Sequence, residues 1–271
     1  MAYDWVSLLT DYGTADGFVA ACHGAIAQIA PAVRVIDITH EVPPGDIRRG
    51  AVVLAQTVPA LPPAVHVAVV DPGVGTARRA IALRTPGGVL VGPDNGLLGW
   101  AAEALGGITA AVTLTDPAYH LPSAASTFDG RDVFAPVAAH LAAGADFAAV
   151  GTPLDPRDLV LLPEPRRRAV PGRLDCEVLT VDRFGNVQTS GRTDDVAVAG
   201  LAQGDDVLVG TPSGRHRMPF AGAFGEVAAG APLCFLDSAG RLAIAVNGGD
   251  AAARLGVAAS DPLTISAVGP S

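Results

Sequence analysis

The chain has 271 residues, of which 49% are hydrophobic and 17% charged, which suffices for one large core or two modest ones and excludes a disordered chain. The formal net charge of −9 argues against binding nucleic-acid phosphates or an anionic membrane surface. All 18 basic residues are arginine, so Schiff-base chemistry, a Walker-A lysine and a Ser-Lys dyad are excluded.

Hydrophobic period predicts a strand over 6–9, ending at Thr10-Asp11-Tyr12-Gly13. A helix follows over 18–29 and stops at Pro31. A second strand covers 33–38, and a helix over 47–57 takes Asp46 as its N-cap. A third strand, 65–70, runs into Asp71-Pro72-Gly73-Val74-Gly75. Segments 80–83 and 89–91 form a hairpin around Gly87-Gly88, and helices are predicted over 96–105 and 133–142. This alternation implies an α/β domain over 1–165, with a mostly parallel sheet covered by helices on both faces.

The pattern changes at Pro163-Glu164-Pro165. Residues 166–172, with the triplet Arg166-Arg167-Arg168 and the pair Pro171-Gly172, are expected as a linker. The triplet also suits an anion patch, but the acidic balance of the chain favours a solvated linker. Beyond it come short apolar runs at 176–181, 187–189, 206–209, 233–236, 242–246 and 263–266, separated by turn signals. They predict a smaller all-β, barrel-like domain over 173–271.

Cys22, Cys176 and Cys234 are odd in number and form no CxxC pair, which argues against a disulfide framework or zinc ribbon and fits a reducing compartment. The first residues lack a basic n-region, and no apolar run reaches the ~18 residues needed to span a bilayer. A soluble cytoplasmic protein is expected.

In open α/β sheets ligands bind beyond the carboxyl ends of the strands. Asp11 and Asp71 each follow such a strand and stand beside glycine. A carboxylate there accepts hydrogen bonds from a ribose diol or positions a water; the competing reading is a cap on the next turn. Two such acids in one chain favour a site. Gly73-Val74-Gly75-Thr76-Ala77-Arg78 lacks the third glycine of a dinucleotide fingerprint and precedes a strand rather than a helix. The six histidines show neither HExxH nor HxH spacing; His40, after a strand, is open to a crevice or a structural role, and His140 lies in a predicted helix. No GxSxG elbow supports a serine nucleophile. A site built from Asp, Arg and backbone donors remains. Ser126-Thr127-Phe128-Asp129-Gly130-Arg131-Asp132-Val133-Phe134 opens a helix and is a further candidate. So is Asp182-Arg183-Phe184-Gly185-Asn186, whose composition favours a turn and whose aromatic, flanked by Asp and Asn, suits a nucleobase.

Together these segments resemble the S-adenosylmethionine (SAM) hydroxide adenosyltransferases, relatives of the SAM-dependent fluorinase and chlorinase. The resemblance is carried in order by Leu8-Leu9-Thr10-Asp11-Tyr12-Gly13, Asp37-Ile38-Thr39-His40-Glu41-Val42-Pro43-Pro44, Val69-Val70-Asp71-Pro72-Gly73-Val74-Gly75-Thr76 and Val91-Gly92-Pro93-Asp94-Asn95-Gly96. It continues through 127–134, 182–186 and 238–247, and so spans nearly the whole chain. It implies an α/β domain followed by a β-barrel. It also implies a homotrimer with each site between the N-domain of one subunit and the C-domain of its neighbour. The implied reaction is hydrolysis of SAM to adenosine and L-methionine, without cofactor or metal.

Carried over position by position, Asp11 becomes the ribose-diol acid, with Asp16 also among the substrate contacts. Asp182, Phe184 and Asn186 contact the methionine and adenine ends, beside Ser238 and the stretch Val246-Asn247-Gly248, and Phe224 forms an apolar wall. Asp71 and Arg78 are two members of a water-positioning triad. The third is a histidine in the family's Thr-Phe-His-Gly-Arg-Asp motif, where this chain has Asp129.

The implied chemistry is in-line displacement at C5′ of the ribose. A neutral thioether leaves a sulfonium, so no acid is needed for departure. Water, with a pKa near ~15.7, is the hard partner. Asp71 accepts its proton while Arg78 fixes its position. With Asp129 nearby, either one of the two carboxylates holds a proton near neutral pH or Arg78 is shared between them. Three alternatives stand beside hydrolysis. One is halide adenosyl transfer, which a carboxylate at Asp71 disfavours because the resemblance places a tyrosine there in halide enzymes. The others are a SAM or adenosine binder without turnover and a metal-dependent phosphoesterase.

Overall fold

The computed structural model describes residues 2–122 and 127–268. Ser126, at the head of the 126–134 candidate, lies outside the described residues. The chain divides into two compact units, Met1–Leu162 and Pro163–Ser271.

The first unit carries β1 (Trp5–Thr10), α1 (Phe18–Ile29), β2 (Arg34–Thr39), α2 (Ile47–Thr57), β3 (Ala64–Val69), β4 (Ala80–Thr85) and β5 (Gly88–Pro93). It continues with α3 (Gly99–Ala104), β6 (Ala110–Thr113), a π-helical turn (Gly130–Phe134), α4 (Ala135–Ala142) and β7 (Thr152–Leu154). The sheet order is β2-β1-β3-β5-β4-β6-β7. β3 is apolar almost throughout and buried along its length, as a central strand covered on both faces must be. Its side chains alternate: Val65, Val67 and Val69 pack with α1 and α4, while Ala68 and the following Val70 pack with α2 and α3. Asp46 caps α2 through its side chain on the Arg49 N–H at 2.9 Å.

The sheet is mixed, which corrects the expectation of a mostly parallel one. β2, β1, β3 and β5 run parallel, but β4 lies antiparallel to both β5 and β6, and β6 to β7. The reason is the turn between Thr85 and Gly88, too short for a crossover, so it reverses the chain. Thr85 Oγ1 accepts from the Gly88 N–H at 3.1 Å and holds that turn. The helix expected from residue 96 starts only at Gly99, because Asn95 bonds the Val70 carbonyl and the Leu97 N–H with its side chain and keeps the segment in a turn.

The second unit carries β8 (Arg167–Val170), β9 (Arg173–Val181), β10 (Val187–Arg192), α5 (Thr193–Val198), β11 (Asp206–Thr211), β12 (Gly214–Pro219), β13 (Pro232–Leu236), β14 (Arg241–Val246), α6 (Ala251–Leu255) and β15 (Pro262–Ala267). Its antiparallel sheet, ordered β12-β11-β15-β9-β10-β14-β13, curls until a bridge from Phe220 to Cys234 nearly closes it around Leu174, Val178, Val209, Ile244 and Ile265. The segment expected as a linker contains a strand instead: β8 pairs with β9, Val170 opposite Arg173. Pro171-Gly172 is the hairpin turn that joins them, Gly172 supplying φ +83°. Arg166 sits at its head and donates to the buried carboxylate of Glu177 at 2.9 Å. The three cysteines are buried free thiols, and burial pushes Cys22 and Cys176 up to about 12. Among the described residues no helix is long and apolar enough to cross a membrane.

His66, fully buried on β3, meets Ser7 of β1 at 2.8 Å through Nδ1, while its Nε2 has no hydrogen-bond partner among the described residues. Burial lowers its pKa to about 4. Folded His66 therefore resists a proton that the unfolded chain accepts below its ordinary ~6.5. The stability this gives is full above pH ~6.5 and is lost as pH falls toward 4, by an amount on the order of 3 kcal/mol. Denaturant titrations at pH 7 and 4.5, followed by the fluorescence of Trp5 and Trp100 in this unit, should show that loss. The variant His66→Gln should lose distinctly less between the two pH values; an equal loss would remove His66 as the cause.

Candidate active site

Asp71 emerges just past the end of β3, an inner strand flanked by β1 and β5. The loop after it folds back on itself: the Val74 N–H bonds the Asp71 carbonyl, and Thr76 bonds the Gly73 carbonyl through both N–H and Oγ1. This return brings Arg78 onto Asp71, with Nε donating to Oδ1 at 3.2 Å and Nη2 to Oδ2 at 2.5 Å. The same Nη2 donates to Asp129 Oδ2 at 2.6 Å. Of the two arrangements open from the sequence, the structure holds the shared arginine. The side chains of Asp71, Arg78 and Asp129 are 5%, 9% and 19% exposed, so the corner is nearly dry. Desolvation raises the Asp71 pKa above the ordinary carboxylate value, Arg78 opposes the rise and Asp129 adds to it.

Asp129 immediately precedes the π-helical turn Gly130–Phe134, a local widening that recurs at functional sites. Phe134 lies beneath the guanidinium of Arg78, 5.4 Å from ring centroid to Cζ. A cleft of about 630 Å³ opens over this corner, a volume suited to a small-molecule ligand. Asp11, Asp71 and Asp129 line it with three rings that the sequence reading gave no role: Tyr12, Phe18 and Phe128. Their centroids stand 5.3–6.0 Å apart, Phe128 edge-on to the other two. The available signal was that all three flank candidate acids or open the helix after one. Asp11 is fixed by the Gly45 N–H, which donates to Oδ2 at 2.8 Å. Asp16 is exposed and does not line the cleft.

In the second unit Asp182, Phe184 and Asn186 share one turn between β9 and β10. Asp182 Oδ1 accepts from the N–H groups of Phe184 and Asn186 at 2.8 and 2.9 Å, and Oδ2 from Asn186 Nδ2 at 2.8 Å. Gly185, at φ +81°, packs so close to the Asp250 carboxyl that a Cβ would collide with it. The turn is thus closed by the Asp182 carboxylate and presents Phe184, 69% exposed. Val246 ends β14 with its side chain in the core, and Asn247-Gly248 follow. Ser238 is exposed in the turn before β14, so it and Gly248 flank opposite ends of that strand. Phe224 is partly exposed and packs on Phe235, centroids 5.1 Å apart.

Comparisons with known proteins give a consistent answer. The chain matches the SAM hydroxide adenosyltransferase N-terminal domain over residues 6–151 and the C-terminal domain of the same name over 176–264. It is 54% identical over 267 residues to the (R)-S-adenosyl-L-methionine hydrolase of Salinispora tropica, covering 97% of this chain and 98% of that protein. It is 29% identical over 279 residues to a fluorinase of an Actinoplanes species, covering 89% of this chain and 90% of that one. The crystal structure of an uncharacterized conserved protein from Thermotoga maritima superimposes with a TM-score of 0.90 at 37% identity, covering 96% of this chain and 99% of that one.

Gly130 is where the cleft tolerates no side chain, since a Cβ there would strike the hydroxyl of Tyr12. Gly130→Ala should cost ~1–3 kcal/mol of stability by overpacking. Gly24→Ala, mid-helix with nothing within 4 Å of the new Cβ, should instead be neutral or stabilise by up to ~1 kcal/mol. Chemical denaturation of both variants checks the contrast, which vanishes if Tyr12 can simply move aside.

Proposed function

The chain belongs to the SAM hydroxide adenosyltransferase family, and on that footing we propose that it hydrolyses S-adenosyl-L-methionine to adenosine and L-methionine at the corner formed by Asp71, Arg78 and Asp129. The observation that carries this assignment is Arg78 held between two carboxylates that line a cleft walled by aromatic rings.

Water attacks C5′ of the ribose opposite sulfur. The new bond is O–C5′ and the bond that breaks is C5′–S. Its electron pair leaves on sulfur as the neutral thioether of methionine, and the water proton passes to Asp71 and then to solvent. Asp71 is suited to this because burial raises its pKa and so its basicity, while Arg78 keeps it ionised and aimed. Charge is dispersed as a cation meets developing hydroxide, and the dry ring-lined cleft favours that loss of charge. Asp11, held by Gly45, takes the ribose diol. Two carboxylates at the nucleophile's corner repel halide, which favours water as the nucleophile. Phe184, Asp182 and Asn186, with Ser238, Phe224 and the Val246-Asn247-Gly248 stretch, are assigned to the adenine and methionine ends, and the homotrimer belongs to the same proposal. Asp129, in the position of the family histidine, completes the water-positioning set through Arg78 rather than through an imidazole.

Purified protein incubated with SAM should release adenosine and methionine in equal amounts, read by chromatography. Asp71→Asn should lower kcat by ~10²–10⁴-fold, the range of a lost general base. Binding without product, or an Asp71→Asn variant at full rate, would overturn the assignment.

The rate should fall on acidification at a pH above the ordinary carboxylate range, as the raised Asp71 takes up a proton. Removing the Asp129 charge removes one of the causes of that rise, so Asp129→Asn should move the acid limb of kcat/KM to lower pH. A limb that stays put in the variant would show the two carboxylates uncoupled.

A further inference from the structure

We propose that His23, Asp37 and His40 form a binding site for a divalent transition-metal ion of the zinc class, lying outside the catalytic cleft. The three residues come from α1, from β2 and from the first residue after β2. One nitrogen or oxygen from each lies within 4.8 Å of the others. His23 Nε2 is 2.8 Å and His40 Nε2 3.1 Å from the same oxygen, Asp37 Oδ1. Ligand atoms bound tetrahedrally at ~2.0–2.1 Å from zinc stand ~3.3 Å apart, so the two contacts to Asp37 need lengthen by only a few tenths of an ångström to admit an ion.

His40 carries the argument. Its side chain is 6% exposed, and its Nδ1 is engaged by Thr10 Oγ1 at 2.9 Å. Its Nε2 faces Asp37 but off the direction a ring N–H would take, and makes no hydrogen bond. A buried ring nitrogen without a partner is costly, and a metal ion is the partner that would satisfy it. Thr10 is itself fixed, its Oγ1 also accepting from the Tyr12 N–H at 3.2 Å. That is the outer hydrogen bond that metal-bound histidines characteristically have. The β1–β2 register slips here: Leu8 is opposite Asp37 and Leu9 opposite Thr39. Such an irregularity re-aims side chains, in this case Asp37 and the residues just after it.

The donor set selects the ion. Two imidazoles and one carboxylate suit zinc, nickel, cobalt or copper, whereas magnesium and calcium call for oxygen cages. The side chains of His23 and Asp37 are 36% and 41% exposed, which gives the ion an entry path and leaves room for water as a further ligand. The ion would tie α1 to β2 and steady residues 40–45, whose His40 carbonyl accepts from the Gly13 N–H and whose Gly45 N–H holds Asp11, each at 2.8 Å. Its role is positional, so the proposal stands or falls independently of the hydrolytic reading.

The test is calorimetric titration of chelator-treated, dialysed protein with zinc chloride, and separately with cobalt chloride observed by its visible spectrum. One ion per chain should bind at micromolar Kd or tighter, raise the thermal midpoint, and show cobalt bands without the near-ultraviolet thiolate band that Cys22, Cys176 or Cys234 would give. His23→Ala, at a half-exposed position, should weaken zinc at least tenfold, and Asp37→Asn, which keeps the shape but removes the anion, should do the same. No binding to the parent protein, a thiolate band, or undiminished binding by both variants would each overturn the site.

Discussion

The shared guanidinium of Arg78 is the interaction on which the site depends. Two carboxylates buried side by side would repel, and either alone with the arginine would leave the other unpaired. One cation between two anions leaves a residual negative charge, and that charge helps raise Asp71. The arrangement demands three things of the backbone at once. β3 must end just before Asp71, residues 73–78 must double back, and Asp129 must enter from a distant segment. Each is met by local hydrogen bonds or by the π-helical turn, so the charge arrangement is a consequence of backbone geometry rather than of flexible side chains finding one another.

The same economy governs the cleft walls. Gly130 is small because the Tyr12 ring occupies the space of its side chain. Tyr12, Phe18 and Phe128 line the cleft beside it, with Phe128 edge-on to the other two. Thr10 links this wall to the histidine cluster behind it, bonding Tyr12 on one side and His40 on the other. Thr10, Asp11 and Tyr12 at the end of β1 therefore bring together the hydroxyl that engages His40, the acid proposed to take the ribose diol and a ring of the cleft.

In the second unit the design differs. The turn from Asp182 to Asn186 is closed by its own carboxylate, and its exposed element is an aromatic ring. A rigid turn presenting a flat apolar face pays little entropy on binding a nucleobase. The Gly185 carbonyl accepts from the N–H groups of Ala251 and Ala252, which ties the turn to the start of α6.

What depends on neighbours in the chain is legible in the order of the amino acids alone. The strand-end acids Asp11 and Asp71, helix α1 with its stop at Pro31, the Asp46 cap and the Asp182 turn all follow from periodicities and side-chain bonds a few residues long. The ordered motifs carried the family in the same way. Long-range packing settles what depends on residues far apart in the chain. The strand order of the mixed sheet, which sets β4 between β5 and β6, is one such feature, and β12 is faint in the sequence because only Met218 of its side chains is buried. The pairing of Arg78 with Asp129 spans 51 positions, and the meeting of His23, Asp37 and His40 joins a helix to a strand end. Local spacing encodes which way a side chain points on its own element; only packing one element against another decides which charges and nitrogens come within bonding distance.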